Sequence, residues 1–411
     1  MNLDDTPAEC AFREQARAWI AANAPHEYAA RFAAATFGSL PLEEPELLRV
    51  SRDWQRRKVE AGWACIDWPK EHGGRGASAI EAAIWKQEEG VYAVLAVMFR
   101  VGFGMAAPAI LRWGSEEQKR RYLPPLRSGE EIWCQMFSEP AAGSDLAGLR
   151  TRAVRDGDGW RISGRKVWTS LAHVADFGIL LARTDPSLPK HRGLTMFIVD
   201  LRLPGVAVRP IRQANGASGF NEISLDDVRI DDASRLGEVN RGWDVALTTL
   251  MGERLDLGLR MGGGFPELLE LCQRVHTERG RAIDDPAVRA RLAHWAARAS
   301  GVRYTGYRAL SALSRGERPG PESSVSKLVI STDMQAMAEF ALDLMGPAGI
   351  VTDPDLAPDR ARLQRLLLRA PATRIEGGTS EILRNIVAER VLGLPGEPRV
   401  DKDRPFDAID G

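Results

Sequence analysis

The sequence has 411 residues, with 55 Lys and Arg against 56 Asp and Glu, and a formal net charge of -1 at pH 7. This length can bury a large core and predicts two or three domains, whereas the balanced charge argues against nucleic acid as a partner. No apolar run approaches the ~20 residues that span a bilayer, and the acidic start of the chain is unlike a signal or transit peptide, so we expect a cytoplasmic protein without a membrane partner.

Cysteine and histidine side chains are scattered along the chain. The four cysteines form no C-x-x-C pair, and the six histidines show no spacing that is typical of metal ligands. We therefore expect neither a disulfide framework nor a metal site. The cysteines are Cys10, Cys65, Cys134 and Cys272.

The first part of the chain carries apolar side chains at helical spacing, so residues 1–130 are predicted to form an N-terminal α-helical domain. Thr6 and Pro7 are start signals for the first helix, and Ser115 opens a short helix that should end near Leu123-Pro-Pro. The other expected helices cover residues 43–61, 78–92 and 97–113.

From Ile132 the apolar period changes to two, which is typical of strands. Strands at this density, without helical patterns between them, favour a compact antiparallel β-domain or barrel over residues 131–235. The polar loop Pro186–Gly193 is expected to be exposed. The predicted strands are Trp160–Gly164, Lys166–Ser170, Phe177–Ala182, Leu194–Val199, Val206–Ile211 and Phe220–Ile230.

Helical patterns return near Trp243 and predict a helical domain over residues 236–395. The remaining residues, 396–411, are rich in proline and charge and are expected to form an extended tail. The candidate helices cover residues 240–279, 285–315, 321–345 and 379–392.

Three short motifs combine hydroxyl side chains with glycine. They are Phe137–Leu146 (FSEPAAGSDL), Gly164–Ser170 (GRKVWTS) and Gly377–Ile382 (GGTSEI). The last precedes an amphipathic helix, whose free N–H groups and dipole would attract an anion. Taken one at a time, the motifs could equally be a polar interdomain loop, a strand with a core tryptophan and an ordinary helix start. No G-x-G-x-x-G motif follows a strand, so a dinucleotide would not be held by a Rossmann turn.

Together, in this order and at this spacing, the motifs resemble the three signatures of the acyl-CoA dehydrogenase family, and the loop Trp68–Gly76 resembles another family segment. The resemblance covers nearly the whole chain. It implies an α+β multidomain fold with an N-terminal α-helical domain, a middle antiparallel β-domain and a C-terminal four-helix bundle. It also implies bound FAD between the β-domain and the bundle, and tetramers that pair through the bundles.

The first two signatures would supply the flavin site of one subunit. By resemblance, Phe137 and Ser138 contact the flavin ring, and Ser144 donates to the cofactor phosphate or to the acyl-CoA. Trp168 forms an aromatic wall, and Ser170 lies near flavin N5. Taken alone, Trp168 would more often be a core tryptophan on a strand.

Further FAD contacts are implied in the C-terminal domain. Thr379 and Glu381 belong to the third signature and would contact FAD. Arg279 stands where the family has an arginine that reaches the FAD pyrophosphate of a neighbouring subunit, and Gly346 lies at another such contact. The family usually continues this arginine as Arg-x-x-Phe-Gly, but here the sequence is Arg279-Gly-Arg-Ala-Ile.

The reaction that the resemblance implies, the dehydrogenation of an acyl-CoA, needs a carboxylate that removes the α-proton of the acyl group. In most relatives it directly precedes Gly-Thr of the third signature, where this chain has Gly377, and Glu376 lies one residue too early. Glu253 and Arg254 match the alternative placement on the first bundle helix, as in isovaleryl- and long-chain-type members. We predict Glu253 as the base, with Glu376 as the alternative. Ser144, Arg254 and the backbone at Gly377 are expected at the substrate.

The resemblance therefore predicts a flavoprotein of lipid metabolism that converts an acyl-CoA to a trans-2-enoyl-CoA and passes electrons to an electron-transfer flavoprotein. We expect a homo-oligomer, a dimer or tetramer, with a hetero-oligomer as the alternative. Two other functions stay open: a non-catalytic or half-site subunit of a mixed tetramer, and an acyl-CoA oxidase-like flavoprotein that uses O₂. The base placement hints at long, branched or ring-bearing acyl groups.

Overall fold

A computed structural model describes residues 5–33, 35, 40–250, 264–315, 317, 320–321, 323–398, 401 and 403–409. The described residues divide into two compact units. The first unit takes its residues from 1–29, 43–253 and 397–411, and the second takes its residues from 30–42 and 254–396.

Three of the helices before residue 130 begin at residues that cap them through their side chains. Thr6, Ser78 and Ser115 each accept a hydrogen bond from the backbone N–H three residues later, and the side chain at that later position caps the start in return. The helices are α1 (Pro7–Asn23), α2 (Ala29–Ala33), α3 (Glu44–Glu60), α4 (Ala79–Glu89), α5 (Ala107–Trp113) and α6 (Glu116–Ser128).

Two helix boundaries differ from the predictions. Helix α6 continues through Pro124 and Pro125, because Leu123 and Leu126 on either side of them are both buried in the core. Between α4 and α5 the backbone forms 3₁₀ turns and a π-helical turn instead of a regular α-helix. Among the described residues no single helix is long and apolar enough to cross a membrane, and only the pair Ala79–Phe99 and Gly102–Trp113, bent by 78°, meets the length and composition together.

The middle of the chain forms one eight-stranded sheet. Its order is β6-β7-β3-β2-β4-β5-β8, and β1 pairs with β4 outside this path. The strands are β1 (Trp133–Met136), β2 (Arg152–Asp156), β3 (Gly159–Ser170), β4 (Phe177–Arg183), β5 (Leu194–Asp200), β6 (Val206–Ile211), β7 (Phe220–Asp231) and β8 (Arg235–Leu236).

Most neighbouring strands are antiparallel, as predicted, but β1 runs parallel to β4, and β2 meets β4 in parallel at one residue pair. Strand β2 was not predicted, because three of its five residues are charged. Ala153 is the one residue of this strand that is buried, so the sequence shows no alternation of apolar and polar residues. The two strands expected on either side of Gly164 are one continuous strand, β3.

Strands β4 and β5 separate two cores, because successive side chains point to opposite faces. Ile179 and Leu181 face a core that includes residues of α5 and α6, together with Val245 and Ala246 from the helix over residues 242–250, here α7. The intervening Leu180 packs in a second core with Trp160 and Phe197.

The second unit is mainly helical, as expected, but the prediction of one helix over residues 240–279 was wrong at its C-terminal end. Residues 251–263 lie outside the described part of the chain, and the following helix ends at Arg274, before a short hairpin. Helix α11 was not predicted. The elements are α8 (Phe265–Arg274), β9 (His276–Thr277), β10 (Gly280–Arg281), α9 (Pro286–Ser314), α10 (Ser323–Met345), α11 (Arg362–Thr373) and α12 (Ser380–Ile386), followed by a π-helical turn (Val387–Val391).

The end of the chain returns to the β-domain. The Phe406 ring lies over the Arg183 guanidinium, with 3.5 Å between the ring centroid and Cζ. The backbone N–H of Phe406 donates to the Leu188 carbonyl at 3.0 Å. Lys190 Nζ contacts Asp401 at 2.6 Å. The loop Pro186–Gly193, which was expected to be exposed, is therefore covered in part by the tail.

Candidate active site

Trp168 lies on the surface rather than in the core. Its side chain is 58% exposed, so the interpretation as an ordinary core tryptophan is wrong. Its backbone has φ +61°, in the left-handed region, which costs a non-glycine residue roughly 1–2 kcal/mol. The pairing of β3 with β7 is irregular between Lys166 and Thr169, where this residue sits. An exposed aromatic ring on strained backbone suits a ligand-facing wall.

The structure brings the first two signatures side by side. The Val167 N–H donates to the Ser138 carbonyl at 2.9 Å, and Lys166 Nζ donates to the Phe137 carbonyl at 2.9 Å. Phe137 is buried and Ser138 is half-buried. Ser170, at the end of β3, is also half-buried and pairs in register with Phe220. The two segments that carry the predicted flavin-site residues are thus joined by hydrogen bonds. These residues are Phe137, Ser138, Trp168 and Ser170.

A buried ion pair that the sequence interpretation missed lies beneath these residues. Lys166 is fully buried, and its Nζ contacts Glu139 Oε1 at 2.8 Å. The same carboxylate accepts the N–H groups of Arg150 at 2.7 Å and Thr151 at 2.8 Å. The signal was available, because Glu139 belongs to the first signature and Lys166 to the second.

Burial and charge act in opposite directions on this pair. Burial alone would raise the pKa of Glu139, but the Lys166 charge and the three donors outweigh it and hold the pKa below its ordinary value. Burial lowers the pKa of Lys166 to about 8, against the pull of the Glu139 carboxylate. The lowered pKa of Glu139 keeps its carboxylate ionised opposite the Lys166 ammonium.

The second half of the first signature is an exposed loop on a firm base. Ser144 is exposed, and the neighbouring Asp145 Oδ2 contacts Lys190 Nζ at 3.0 Å. Beneath the loop the buried Arg183 guanidinium donates to the Ala147 carbonyl at 2.6 Å. Burial lowers the pKa of Arg183 to about 10. The exposed serine side chain is thus accessible to a ligand, whereas the Arg183 guanidinium holds the backbone behind it.

The third signature lies in the second unit and begins a helix, as predicted. Gly377 and Gly378 have φ +62° and +96°, which only glycine adopts readily. Thr379 caps α12 by accepting the Ile382 N–H at 3.2 Å. The Gly378 carbonyl accepts a hydrogen bond from the buried Lys327 Nζ at 2.7 Å.

Of the two candidate bases, Glu376 lies within the described residues and Glu253 lies outside them. Glu376 Oε2 contacts Arg369 Nη2 at 2.6 Å, and both side chains are largely covered. Its carboxylate is therefore already paired within the second unit. Glu253 and its neighbour Arg254 lie within residues 251–263, outside the described residues.

The remaining predicted FAD contacts lie on the surface of the second unit. Arg279 occupies the turn between β9 and β10; its side chain is 85% exposed and comes no closer than 3.9 Å to Asp285. Gly346 is exposed, with φ +55° and open space where a Cβ would stand. The Glu381 side chain is 71% exposed and lies 3.6 Å from Arg384. Such exposed groups are available to a ligand or a neighbouring subunit.

These features fit a flavin cofactor. The first unit offers an exposed aromatic wall, adjacent hydroxyl groups and a rigid base under the Ser144 loop. The second unit offers an N-capped helix start after two glycines whose conformation leaves room for a close approach. Flavin proteins supply such donors, ring contacts and anion contacts, and the chemistry of hydride transfer belongs to the cofactor.

Comparison with protein families gives the class. The N-terminal, middle and C-terminal domain models of acyl-CoA dehydrogenase match residues 6–130, 134–228 and 240–392. The chain therefore belongs to the acyl-CoA dehydrogenase family, whose members are FAD-dependent oxidoreductases that act on acyl-CoA thioesters and form oligomers. The predicted family, the α+β multidomain fold, the enzyme class and the FAD cofactor are confirmed.

Individual relatives agree with this class. The chain is 39% identical over 398 residues to acyl-CoA dehydrogenase IpdE1 of Mycobacterium tuberculosis (strain ATCC 25618 / H37Rv), covering 94% of this chain and 98% of that protein. Among solved structures, the ChsE4-ChsE5 complex from Mycobacterium tuberculosis is similar with a TM-score of 0.78 and 31% identity, over 97% of this chain and 100% of that chain. The Tcur3481-Tcur3483 steroid ACAD has a TM-score of 0.80 and 29% identity, also over 97% and 100%.

Proposed function

We propose that this chain converts an acyl-CoA to its trans-2-enoyl-CoA, with Glu253 as the base. The carboxylate takes the α-proton, and the β-hydrogen leaves as a hydride, so that the Cα–Cβ single bond becomes a double bond. When bound, FAD supplies the hydride acceptor at N5. A dry surrounding would raise the pKa of such a glutamate toward neutrality, where it is an effective base.

The observation that carries this assignment is the ion pair of the competing carboxylate. Glu376 is held by Arg369 at 2.6 Å, so its carboxylate is already occupied by an ion pair within the second unit. The usual base position is Gly377, which has no side chain to contribute. Glu253 is the candidate that these two facts leave.

We assign the flavin ring to Phe137, Ser138, Trp168 and Ser170 of one subunit. The exposure of Trp168 and the direct backbone contacts between the two signatures support this assignment. Ser144 serves the cofactor phosphate or the acyl-CoA. Thr379 and Glu381 contribute from the third signature, and Arg279 and Gly346 reach the FAD of a neighbouring copy.

The substrate is held by Ser144, Arg254 and the backbone N–H at Gly377. We propose a ring-bearing acyl group, because one of the similar solved structures is described as a steroid enzyme. We propose domain bounds of 1–130, 131–235 and 236–395, with 396–411 as a tail. An electron-transfer flavoprotein takes the electrons from the reduced enzyme.

A mixed assembly is the second candidate. One of the similar solved structures is described as a complex of ChsE4 and ChsE5, and another carries a double designation, Tcur3481-Tcur3483. In this chain Ala282 stands where the family usually has the aromatic residue after Arg279, which favours a neighbouring subunit of different sequence. In such an assembly this chain would complete its sites only together with a second, related chain.

Anaerobic bleaching of the flavin by a panel of acyl-CoAs tests these proposals. We expect bleaching by ring-bearing acyl-CoAs, loss of bleaching with retained FAD in Glu253→Gln, and retained bleaching in the control Glu376→Gln. Full activity in Glu253→Gln would transfer the role of base to Glu376. Bleaching that requires a second chain would establish the mixed assembly, and hydrogen peroxide formation in air would indicate the oxidase alternative.

A further inference from the structure

A chain of side-chain hydrogen bonds connects the start of α3 to the turn that carries Trp168. Glu44 Oε2 lies 2.9 Å from His173 Nε2, and His173 Nδ1 lies 3.2 Å from Asn221 Nδ2. Asn221 Nδ2 in turn lies 3.0 Å from the Thr169 carbonyl, one residue after Trp168. All of these residues belong to the first unit.

The donors and acceptors along this chain are consistent with a single arrangement. Asn221 must direct its NH₂ group toward Thr169, because the carbonyls of Thr169 and Gly219 both lie within hydrogen-bond distance of it. The facing nitrogen, His173 Nδ1, must then be the acceptor. The neutral imidazole consequently carries its proton on Nε2 and donates it to the Glu44 carboxylate.

The last hydrogen bond of this network, from Asn221 to Thr169, lies where the backbone is strained. Asn221 is fully buried and stands opposite Thr169 in the register of β3 and β7, immediately after the irregular pairing around Trp168. Backbone bonds fix both sides of the turn, since Val167 N–H donates to Ser138 and Leu171 N–H donates to Gly219. Between these two bonds, the Asn221 amide is a side-chain restraint on the peptide that joins Thr169 to Ser170, one residue beyond Trp168.

We propose that Glu44, His173 and Asn221 are positioning residues that hold the Trp168 wall in its flavin-binding orientation. This inference rests on the proposed role of Trp168 in binding FAD. A strained conformation persists only where its surroundings determine it. Loss of the restraint lets the turn relax to other conformations in the FAD-free protein, so FAD has to select the correct one and binds more weakly.

A matched pair of variants at position 173 tests this proposal on the full chain. Asparagine can supply an acceptor near the position of Nδ1 and so retain the bond to Asn221, whereas glutamine can supply a donor near Nε2 and retain only the bond to Glu44. We expect His173→Gln to weaken FAD binding about tenfold, the equivalent of about one net hydrogen bond, and His173→Asn to stay near the wild type. FAD affinity is measured by fluorescence titration of the FAD-free protein, together with the visible absorption spectrum of the bound flavin.

Two further variants separate positioning from folding. Glu44→Ala should weaken FAD binding less than His173→Gln does, because the imidazole keeps its bond to Asn221, while the neighbouring control Glu43→Ala should leave it unchanged. Equal FAD affinity and identical flavin spectra in wild type and His173→Gln would overturn the proposal, and so would equal losses in the asparagine and glutamine variants.

The outcomes also distinguish this proposal from the one it rests on. If Trp168→Ala binds FAD as tightly as the wild type, the role of Trp168 is wrong and the network has nothing to position. If Trp168→Ala binds weakly while His173→Gln binds normally, Trp168 is the wall and only the positioning network is wrong.

Discussion

At the residue scale, the pair of Lys166 and Glu139 determines how the flavin-side strands are held together. A buried charge is costly when its partner is removed, because the remaining group keeps its desolvation penalty without compensation. Lys166 also donates to the Phe137 carbonyl, so one ammonium joins both signatures. The pair serves the geometry of the site more than its chemistry.

Removal of this ammonium should therefore destabilise the folded protein. We expect Lys166→Met to lower the free energy of unfolding by about 3–5 kcal/mol, because Glu139 stays buried without its counter-charge. Urea denaturation measures the loss. The control Lys86→Met, at an exposed position of α4, should change stability by less than about 0.5 kcal/mol. Adding Glu139→Gln to Lys166→Met should restore part of the loss. An equal effect of the two lysine variants would contradict this account.

The lowered pKa of Glu139 gives a signed pH dependence. The unfolded carboxyl titrates near its ordinary value of 4.5, and the folded one titrates below it. The stability that this group contributes is therefore present above that value and is lost as the pH falls through the folded pKa. We expect the difference in unfolding free energy between the wild type and Glu139→Gln to shrink as the pH is lowered below about 4.5, measured by denaturation at several pH values. A difference that is constant over this range would contradict the assignment.

The position of Trp168 predicts a loss of cofactor without a loss of stability. Trp168→Ala should lower the ratio of flavin to protein absorbance, because the proposed wall is gone. The FAD-free protein should change in stability by no more than about 1 kcal/mol, since the side chain is largely exposed and alanine carries a comparable backbone strain. The comparison variant Trp160→Ala, which opens a cavity in the second core of the sheet, should lose about 3–5 kcal/mol. Unchanged flavin content would show that Trp168 does not contact the cofactor.

At the scale of elements, the tail and the loop it covers form a small structure of their own. The Phe406 ring on the Arg183 guanidinium joins the end of the chain to the end of β4. The Arg183 donors in turn support the backbone behind Ser144. A segment that looks like an unstructured tail in the sequence is thus linked to the base of a predicted binding loop.

Hydrogen exchange can test the contact of the tail. The Asp407 N–H donates to the Pro186 carbonyl at 3.0 Å, so its exchange should be slow in the wild type. We expect Phe406→Ala to accelerate exchange at residues 406 and 407, because the cation–π contact contributes roughly 0.5–2 kcal/mol. Asp403→Ala, at an exposed position of the same tail, is the control. Equal exchange in both variants would mean that the ring does not hold the tail.

At the scale of the whole molecule, the second unit exposes large apolar side chains that a monomer in water would tend to cover. Ile350 is 84% exposed, and Leu356, Ile375 and Leu392 are also largely exposed. Members of the family form oligomers, and these residues lie on the helical domain that is expected to pair. Their exposure is consistent with an interface.

Interrupting that surface should change the assembly. We expect Ile375→Asp to shift the sedimentation of the protein toward smaller species, because a carboxylate in an apolar interface lacks a partner. The control Val154→Asp introduces the same charge at an exposed position of β2 in the first unit and should leave the assembly intact. Unchanged sedimentation of Ile375→Asp would place the interface elsewhere.

The local sequence determined much of this protein, because helix caps, helical and strand periods and turn residues act over a few neighbouring positions. The capping boxes at Thr6, Ser78 and Ser115 and the start of α12 at Thr379 were all predictable in this way. The three signature motifs predicted the family, because together they contain the residues expected at the flavin site.

Tertiary structure decided the features that depend on residues far apart in the chain. The parallel pairing of β1 with β4, the partnership of Lys166 with Glu139 and the exposure of Trp168 are all of this kind. Periodicity tells whether a side chain can point into a core, but not which of several cores or open faces lies there. That choice depends on packing between distant segments, where burial and charge pairing are decided together.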